Sequence, residues 1–223
     1  MEFKIENTQV HGLDKSIIAS GNAMRTEMDD NDVVIFKLNK KDTDKLYVSD
    51  LLFAYEKHFE RACRLGNTGT GEGHDNFLNG IIVQFDIYAP LYMWKQIQRY
   101  HWIDFISSQS TMHRLTKFNI KEQCVSDVDE VILNRYQELL DDYDDNKGMT
   151  ISVDEDKKKW RTLVASLPCG FVLGATMTTN YRQLKTIYNQ RKHHKLKEWK
   201  EFCDWCENLP YFKDLCLGGR SGD

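Results

Sequence analysis

Apolar and polar residues alternate most clearly over residues 81–88 (IIVQFDIY): Ile81, Val83, Phe85 and Ile87 face one way, Gln84, Asp86 and Tyr88 the other. That period of two predicts a half-buried strand whose polar face is available to a site. Residues 3–10 and 33–38 (VVIFKL) predict two earlier strands, and the apolar, β-prone stretch 171–179 a later one. Helical spacing marks the rest. Ser49 caps a predicted helix to about Leu65, with Leu52, Tyr55, Phe59 and Cys63 on one stripe and Gly66 as its stop. Pro90 sits where a helix can begin, which places residues 91–99 on it. Val128, Val131, Ile132, Tyr136, Leu139 and Leu140 mark another, followed by the acidic turn DDYDDNKG. Asp154 or Asp156 opens a helix carrying Trp160, Leu163 and Leu167, stopped at Pro168. Residues 181–192 and 196–209 complete the set, the last ended by Pro210.

This mixture predicts an α/β protein, read as a single domain over residues 1–223 without internal repeat or linker. Apolar residues make up 41% and aromatics 12%, enough for a full core and too much for a disordered chain. A formal charge of −4 gives no overall basic field, so neither nucleic acid nor an anionic membrane is expected as partner. A small anionic ligand needs only a local cluster of cations. Six scattered cysteines in no framework spacing suggest free thiols. With no apolar run near the ~20 residues that cross a bilayer, a cytoplasmic location is expected.

The chemistry-bearing residues have competing readings. The loop GNTGTGEG tempts a phosphate cradle, but it lacks the Gly-Lys-Ser/Thr of a P-loop, and a flexible connector is the better account. His74 follows it, just before the alternating strand, a place where loop residues often carry function. Cys203-x-x-Cys206 falls inside a helix between Trp199, Phe202 and Trp205, without a second ligand pair, and reads as core. His193-His194 closes a basic helix end. On the helix 91–99, Tyr92, Gln96 and Arg99 share a face at i, i+4, i+7. On the helix 181–192, the stripe Leu184, Ile187, Tyr188 continues into Arg191, and Arg182 points to the opposite side. An arginine on a buried stripe needs a partner, either a core carboxylate or a ligand rich in acceptors. Ser107-Ser-Gln-Ser110-Thr-Met-His113-Arg114 offers hydroxyls and cations that suit either a phosphate or a polar turn.

Taken in order, these residues resemble the flavin-dependent thymidylate synthases (the ThyX family). In that family a catalytic histidine precedes a strand ending in Ala-Pro, and a helix then carries Gln and an Arg-His-Arg signature. His74, Ala89-Pro90, Gln96 and Arg99-Tyr100-His101 match that order without a gap, and Ser110 with His113 or Arg114 resembles the next step. Leu167-Pro168, Asn180-Tyr181-Arg182 and Arg191 follow at the family's spacing, and His194 resembles its flavin-binding histidine with one residue deleted. The likeness covers about 72–115 and 161–200; further upstream, Ser20 or Thr26 lies near the family's early flavin-contacting serine. Departures fall at Tyr100 and His101, at Ser107-Ser108 in place of Asn-Glu, and at Val164 in place of a phosphate-binding arginine. They touch phosphate and pyrimidine recognition more than the fold.

The resemblance implies an α+β fold with a curved, largely antiparallel sheet flanked by helices, assembled as a homotetramer with sites where subunits meet. It implies FAD as cofactor, NADPH and methylenetetrahydrofolate as co-substrates, and methylation of dUMP to dTMP. By similarity Arg191 would polarise the pyrimidine and His74 orient folate or flavin. Gln96, Ser110, His113 and Arg114 would hold the nucleotide, and Arg99, His101, Asn180, Arg182 and His194 the FAD. Two alternatives stay open: one-carbon transfer to another pyrimidine nucleotide such as dCMP, and a nucleotide- or flavin-binding homologue without turnover.

Overall fold

The computed structural model describes residues 1–26, 33–34, 46–48, 53–54, 56–69, 71–145 and 152–219. Among them the strands are β1 (Lys4–His11), β2 (Val33–Val34), β3 (Leu46–Val48), β4 (Phe53–Ala54), β5 (Ile82–Pro90), β6 (Asp104–Ser108) and β7 (Val172–Asn180). The helices are α1 (Leu13–Ala19), α2 (Glu56–Gly66), α3 (Leu91–Ile97), α4 (Thr111–Arg114), α5 (Ile120–Gln123), α6 (Glu130–Asp145), α7 (Val153–Ser166), α8 (Tyr181–Arg191) and α9 (Lys197–Glu207). Residues 35–38 of the second expected strand, Ser49, Leu52 and Tyr55 of the next helix, and 146–148 of the acidic turn lie outside the described residues.

Five strands form one sheet in the order β3-β1-β5-β7-β6, and β2 pairs antiparallel with β4. β3 joins β1 in parallel, Thr8 opposite Leu46 and Val10 opposite Val48, while the other four strands make an antiparallel sheet flanked by helices. β5 alternates as its sequence requires: Val83, Phe85, Ile87 and Ala89 are buried and the residues between them partly exposed. Its polar face is already engaged, because Asp86 accepts hydrogen bonds from Asn7 Nδ2 (2.7 Å) and Thr176 Oγ1 (2.6 Å).

The chain divides into two compact units. The first comprises Met1–Lys4, Ile87–Arg99 and Ser107–Ala175. Its core is Leu115, Ile120, Cys124, Tyr136, Leu140, Leu163 and Phe171. α6 packs on α7, tied by the Tyr136 hydroxyl donating to the Leu163 carbonyl at 3.0 Å. Ser152, rather than Asp154 or Asp156, opens α7, its hydroxyl accepting the Glu155 N–H. The expected acidic turn is helical through Asp145.

The second unit comprises Ile5–Asp86, Tyr100–Ile106 and Thr176–Asp223. Its spine is aromatic. Phe85 on β5 meets Trp205 (4.7 Å between centroids), Trp205 meets Phe202 (5.2 Å), and Phe202 meets Trp199 (5.4 Å). The spacing of three along α9 puts these rings on one face, and each buried aromatic contributes on the order of 1.5–3 kcal/mol. Cys203 and Cys206 belong to the same buried face as core thiols, and burial pushes Cys203 up to about 11. Tyr181 is fully buried at the start of α8 and donates to the Pro210 carbonyl at 2.6 Å.

Candidate functional site

β7 runs directly into α8, and Asn180 makes the transition: its Oδ1 accepts the Gln183 N–H at 2.9 Å, capping the helix. From there Leu184 and Ile187 are buried, and the same face continues one turn on to Arg191. Arg191 is partly buried. Its Nε donates to the Tyr100 hydroxyl at 2.6 Å, and its guanidinium carbon lies 4.7 Å from the Trp199 ring centroid and 5.3 Å from that of Tyr100. The Tyr100 hydroxyl in turn donates to Gln190 Oε1 at 3.1 Å. The guanidinium is therefore fixed along its edge by a phenol and on its face by an indole, an orientation that a flexible side chain lacks on its own.

His194 completes this cluster, its ring 6.3 Å from that of Trp199. Its Nδ1 accepts the Leu196 N–H at 3.1 Å, which places the proton of the neutral imidazole on Nε2. Burial, and then the Arg191 charge, hold its pKa below the ordinary histidine value, against a smaller opposing pull from Glu198. The imidazole is thus a neutral donor beside a fixed cation.

His74 is exposed in the turn that follows the glycine-rich loop. Gly71 and Gly73 there have φ of +98° and +80°, with open space where a Cβ would sit, so backbone conformation explains these glycines. Next to His74, Asp75 is buried, with Lys185 Nζ 3.3 Å from its Oδ2 and Arg182 Nε 3.1 Å from its Oδ1. The Arg182 contact meets ion-pair distance without hydrogen-bond geometry, since Oδ1 has no hydrogen bond. Arg182, expected on the opposite side of α8 from Arg191, is thereby committed to a carboxylate.

Gln96, Arg99, Ser110, His113 and Arg114 belong to the first unit, whereas His74, His101, Asn180, Arg182, Arg191 and His194 belong to the second. α3 ends at Ile97, so Arg99 lies in the following turn and not on a helical face with Tyr92 and Gln96. Arg99 and His101 are exposed. The hydroxyl-rich segment is no loop throughout: Ser107 and Ser108 finish β6, and Ser110 caps α4 by accepting the His113 N–H at 3.3 Å. His113 and Arg114 are exposed on α4. Val164 packs against the first unit's core, so this position supplies a methyl surface and no phosphate contact.

Two members of the cluster are absent from the sequence-based set. Tyr100 reads in sequence only as a departure from Arg-His-Arg, and Trp199 only as a core aromatic of an amphipathic helix. The signal that finds them is their position beside Arg191, which spacing does not encode. A cleft of about 650 Å³ is lined by Phe59, Cys63, Arg64, Asn67 and Asp214, none of them a sequence-expected site residue. No group of His, Cys, Asp and Glu among the described residues could hold a metal ion, and no described helix is long and apolar enough to cross a membrane.

The sequence matches no family model and no curated protein. Solved structures do match. A flavin-dependent thymidylate synthase ThyX from Helicobacter pylori, complexed with FAD and dUMP, is 16% identical with a TM-score of 0.64, covering 98% of this chain and 99% of that one. A second structure of ThyX from that organism, also with FAD and dUMP, is 18% identical with a TM-score of 0.54, over 73% and 82%. A UMP/dUMP methylase, PolB from Streptomyces cacaoi, bound with 5-Br dUMP, is 12% identical with a TM-score of 0.60, over 92% and 88%. With near end-to-end coverage of the first of these structures, the chain has the fold of the flavin-dependent thymidylate synthases.

Proposed function

We propose that this chain is a divergent flavin-dependent thymidylate synthase, a methyltransferase that converts dUMP to dTMP with FAD, NADPH and methylenetetrahydrofolate. The observation that carries the reading is Arg191, clamped between Tyr100 and Trp199 with His194 beside it. Aromatic faces next to fixed N–H donors suit a planar, acceptor-rich ring, which is what a pyrimidine and a flavin both present. The structural neighbours' FAD, dUMP and 5-Br dUMP belong to the same ligand chemistry.

The donor set fits FAD. Exposed Arg99 and His101 can meet phosphate oxygens, and the Nε2 proton of His194 can meet a carbonyl of the flavin ring. Asn180 retains its amide N–H groups for a ligand after its oxygen caps α8, and Arg182 retains its Nη edge after Nε faces Asp75. When bound, the flavin supplies hydride and carries the one-carbon unit, chemistry that no side chain provides.

The chain's residues position and polarise. Arg191 directs a preorganised positive charge at the pyrimidine carbonyl, where negative charge grows as the ring accepts hydride. Tyr100 keeps that cation from swinging into solvent, and Trp199 excludes water from one of its faces. His74 orients the folate or flavin partner. Gln96, Ser110, His113 and Arg114 hold the nucleotide, with exposed Arg114 and His113 as cations for its phosphate. Residues 1–223 act as one catalytic domain within a cytoplasmic homotetramer. The test is turnover: purified protein given dUMP, methylenetetrahydrofolate, NADPH and FAD should yield dTMP by chromatography. dTMP from protein lacking Arg191, or none from the wild type, would contradict the proposal.

A further inference from the structure

Lys185 lies on α8 between Arg182 and Arg191, yet neither a ligand contact nor the helix itself calls for a buried ammonium there. The residue is 6% exposed. Its three N–H donors meet three acceptors: the Gly66 carbonyl at 2.6 Å, the Thr68 carbonyl at 3.2 Å and Asp75 Oδ2 at 3.3 Å. These acceptors sit at the two ends of one loop. Gly66 ends α2 and Thr68 follows it, the glycine-rich stretch comes next, and Asp75 closes the segment directly after His74. One nitrogen therefore gathers both feet of the loop against α8. Asp75 is itself 4% exposed, so this is a buried charge pair whose partners are held by more than each other.

The loop has contacts of its own, the Asn67 amide donating to the Cys63 and Asp214 carbonyls and the Glu72 N–H to the Gly69 carbonyl, but Lys185 reaches both of its ends. We propose that Lys185 is a positioning residue: its ammonium clasps the loop 66–75 to α8 and thereby fixes His74 on the helix that carries Arg191. The catalytic part of this inference rests on the proposed role of His74; the clasp itself does not. Nothing in the spacing of the chain signals it, since a lysine about one turn into an amphipathic helix ordinarily faces water.

The clasp and simple core stability make different predictions. Lys185→Met alone leaves the buried Asp75 with only the partly exposed Arg182 at ion-pair distance and lowers the melting temperature under either account. Lys185→Met combined with Asp75→Leu removes both charges of the pair, releases the partly exposed Arg182 to solvent and parts the two ends of the loop from α8. Amide hydrogen exchange on wild type and on the folded double variant, with and without FAD, reads the loop directly. The clasp predicts at least tenfold faster exchange over residues 67–74 in the double variant, with α8 amides unchanged. With FAD saturating, turnover should fall at least tenfold in kcat, with KM for dUMP within threefold of wild type. Unchanged exchange over 67–74 overturns the clasp. Faster exchange with wild-type kcat overturns its role in positioning His74. Should the wild type itself show no dTMP formation, the proposed function fails, and the exchange comparison still decides the clasp.

Discussion

Replacing Arg191 by alanine separates architecture from chemistry. A buried arginine that serves only to neutralise a core carboxylate costs roughly 3–5 kcal/mol when removed, because its partner is left charged and dry. Two contacts of Arg191 can be weighed. Its guanidinium stacks on Trp199 at 4.7 Å and donates through Nε to the Tyr100 hydroxyl at 2.6 Å, at a position only partly buried. Stacking of a cation on an indole is worth about 1 kcal/mol at such a site. The hydrogen bond adds about 1 kcal/mol, since the Tyr100 hydroxyl can turn to water and keeps Gln190 as an acceptor. These two contacts account for about 2 kcal/mol in the ligand-free variant, which for a chain of this size is roughly 4–8 °C in Tm. Nucleotide binding should lose a charge-assisted contact of about 1.5–3 kcal/mol, or on the order of 10- to 150-fold in Kd for dUMP. FAD affinity should change little. Differential scanning calorimetry and dUMP titration of the FAD-loaded protein measure both quantities. A melting temperature depressed by more than about 12 °C together with wild-type dUMP affinity would show that Arg191 is a core ion-pair residue and refute the reasoning.

Tyr100→Phe keeps the ring and removes the Nε acceptor, so dUMP affinity should fall about tenfold with Tm lowered by only a few degrees; unchanged affinity would mean Tyr100 does not orient Arg191. Asn180→Ala removes the α8 cap, for about 1 kcal/mol or roughly 2–4 °C by thermal melting, and an unchanged Tm would show the Gln183 N–H satisfied otherwise. His194 has a folded pKa below its unfolded value, so the unfolded chain binds more protons between the two. Its contribution to stability is present above the unfolded value of about 6.5 and lost as pH falls through the folded one. The Tm of wild type should rise with pH across that window more steeply than that of His194→Gln; identical slopes would exclude the histidine as the source. Light scattering with FAD present should report a homotetramer, and a monomer at micromolar concentration would remove the shared-site part of the proposal.

What the sequence discloses follows from how each feature is encoded. β5, β7, α8 and α9 bury one face each, and a buried face leaves a period in the chain: Val83, Phe85 and Ile87 on β5, Trp199, Phe202 and Cys206 on α9. β6 leaves none, because all five of its residues are exposed at the sheet's edge, and Trp102 before it is 71% exposed. The helix expected through Arg99 stops two residues earlier, a boundary that Gln98 and Arg99 do not mark with proline or glycine. Site residues divide in the same manner. Arg191 is visible because a charge interrupts an apolar stripe, and its partner's chemistry is left open by that signal. The phenol and indole that flank it depend on Tyr100 and Trp199 arriving from ninety-one residues upstream and eight downstream. Asp75 and Lys185 interrupt no apolar stripe in the sequence, and only their burial against each other reveals a charge pair.

The central claim is that Arg191, Tyr100, Trp199 and His194 form part of a flavin-dependent nucleotide site. The most direct measurement is an equilibrium titration of the purified protein with FAD, followed by dUMP, read through flavin absorbance and fluorescence. Bound FAD whose spectrum shifts on adding dUMP, with the dUMP response lost and FAD binding kept in Arg191→Ala, is the predicted result. Protein that leaves the spectrum of free FAD unchanged, or that responds to dUMP equally well without Arg191, would contradict the account.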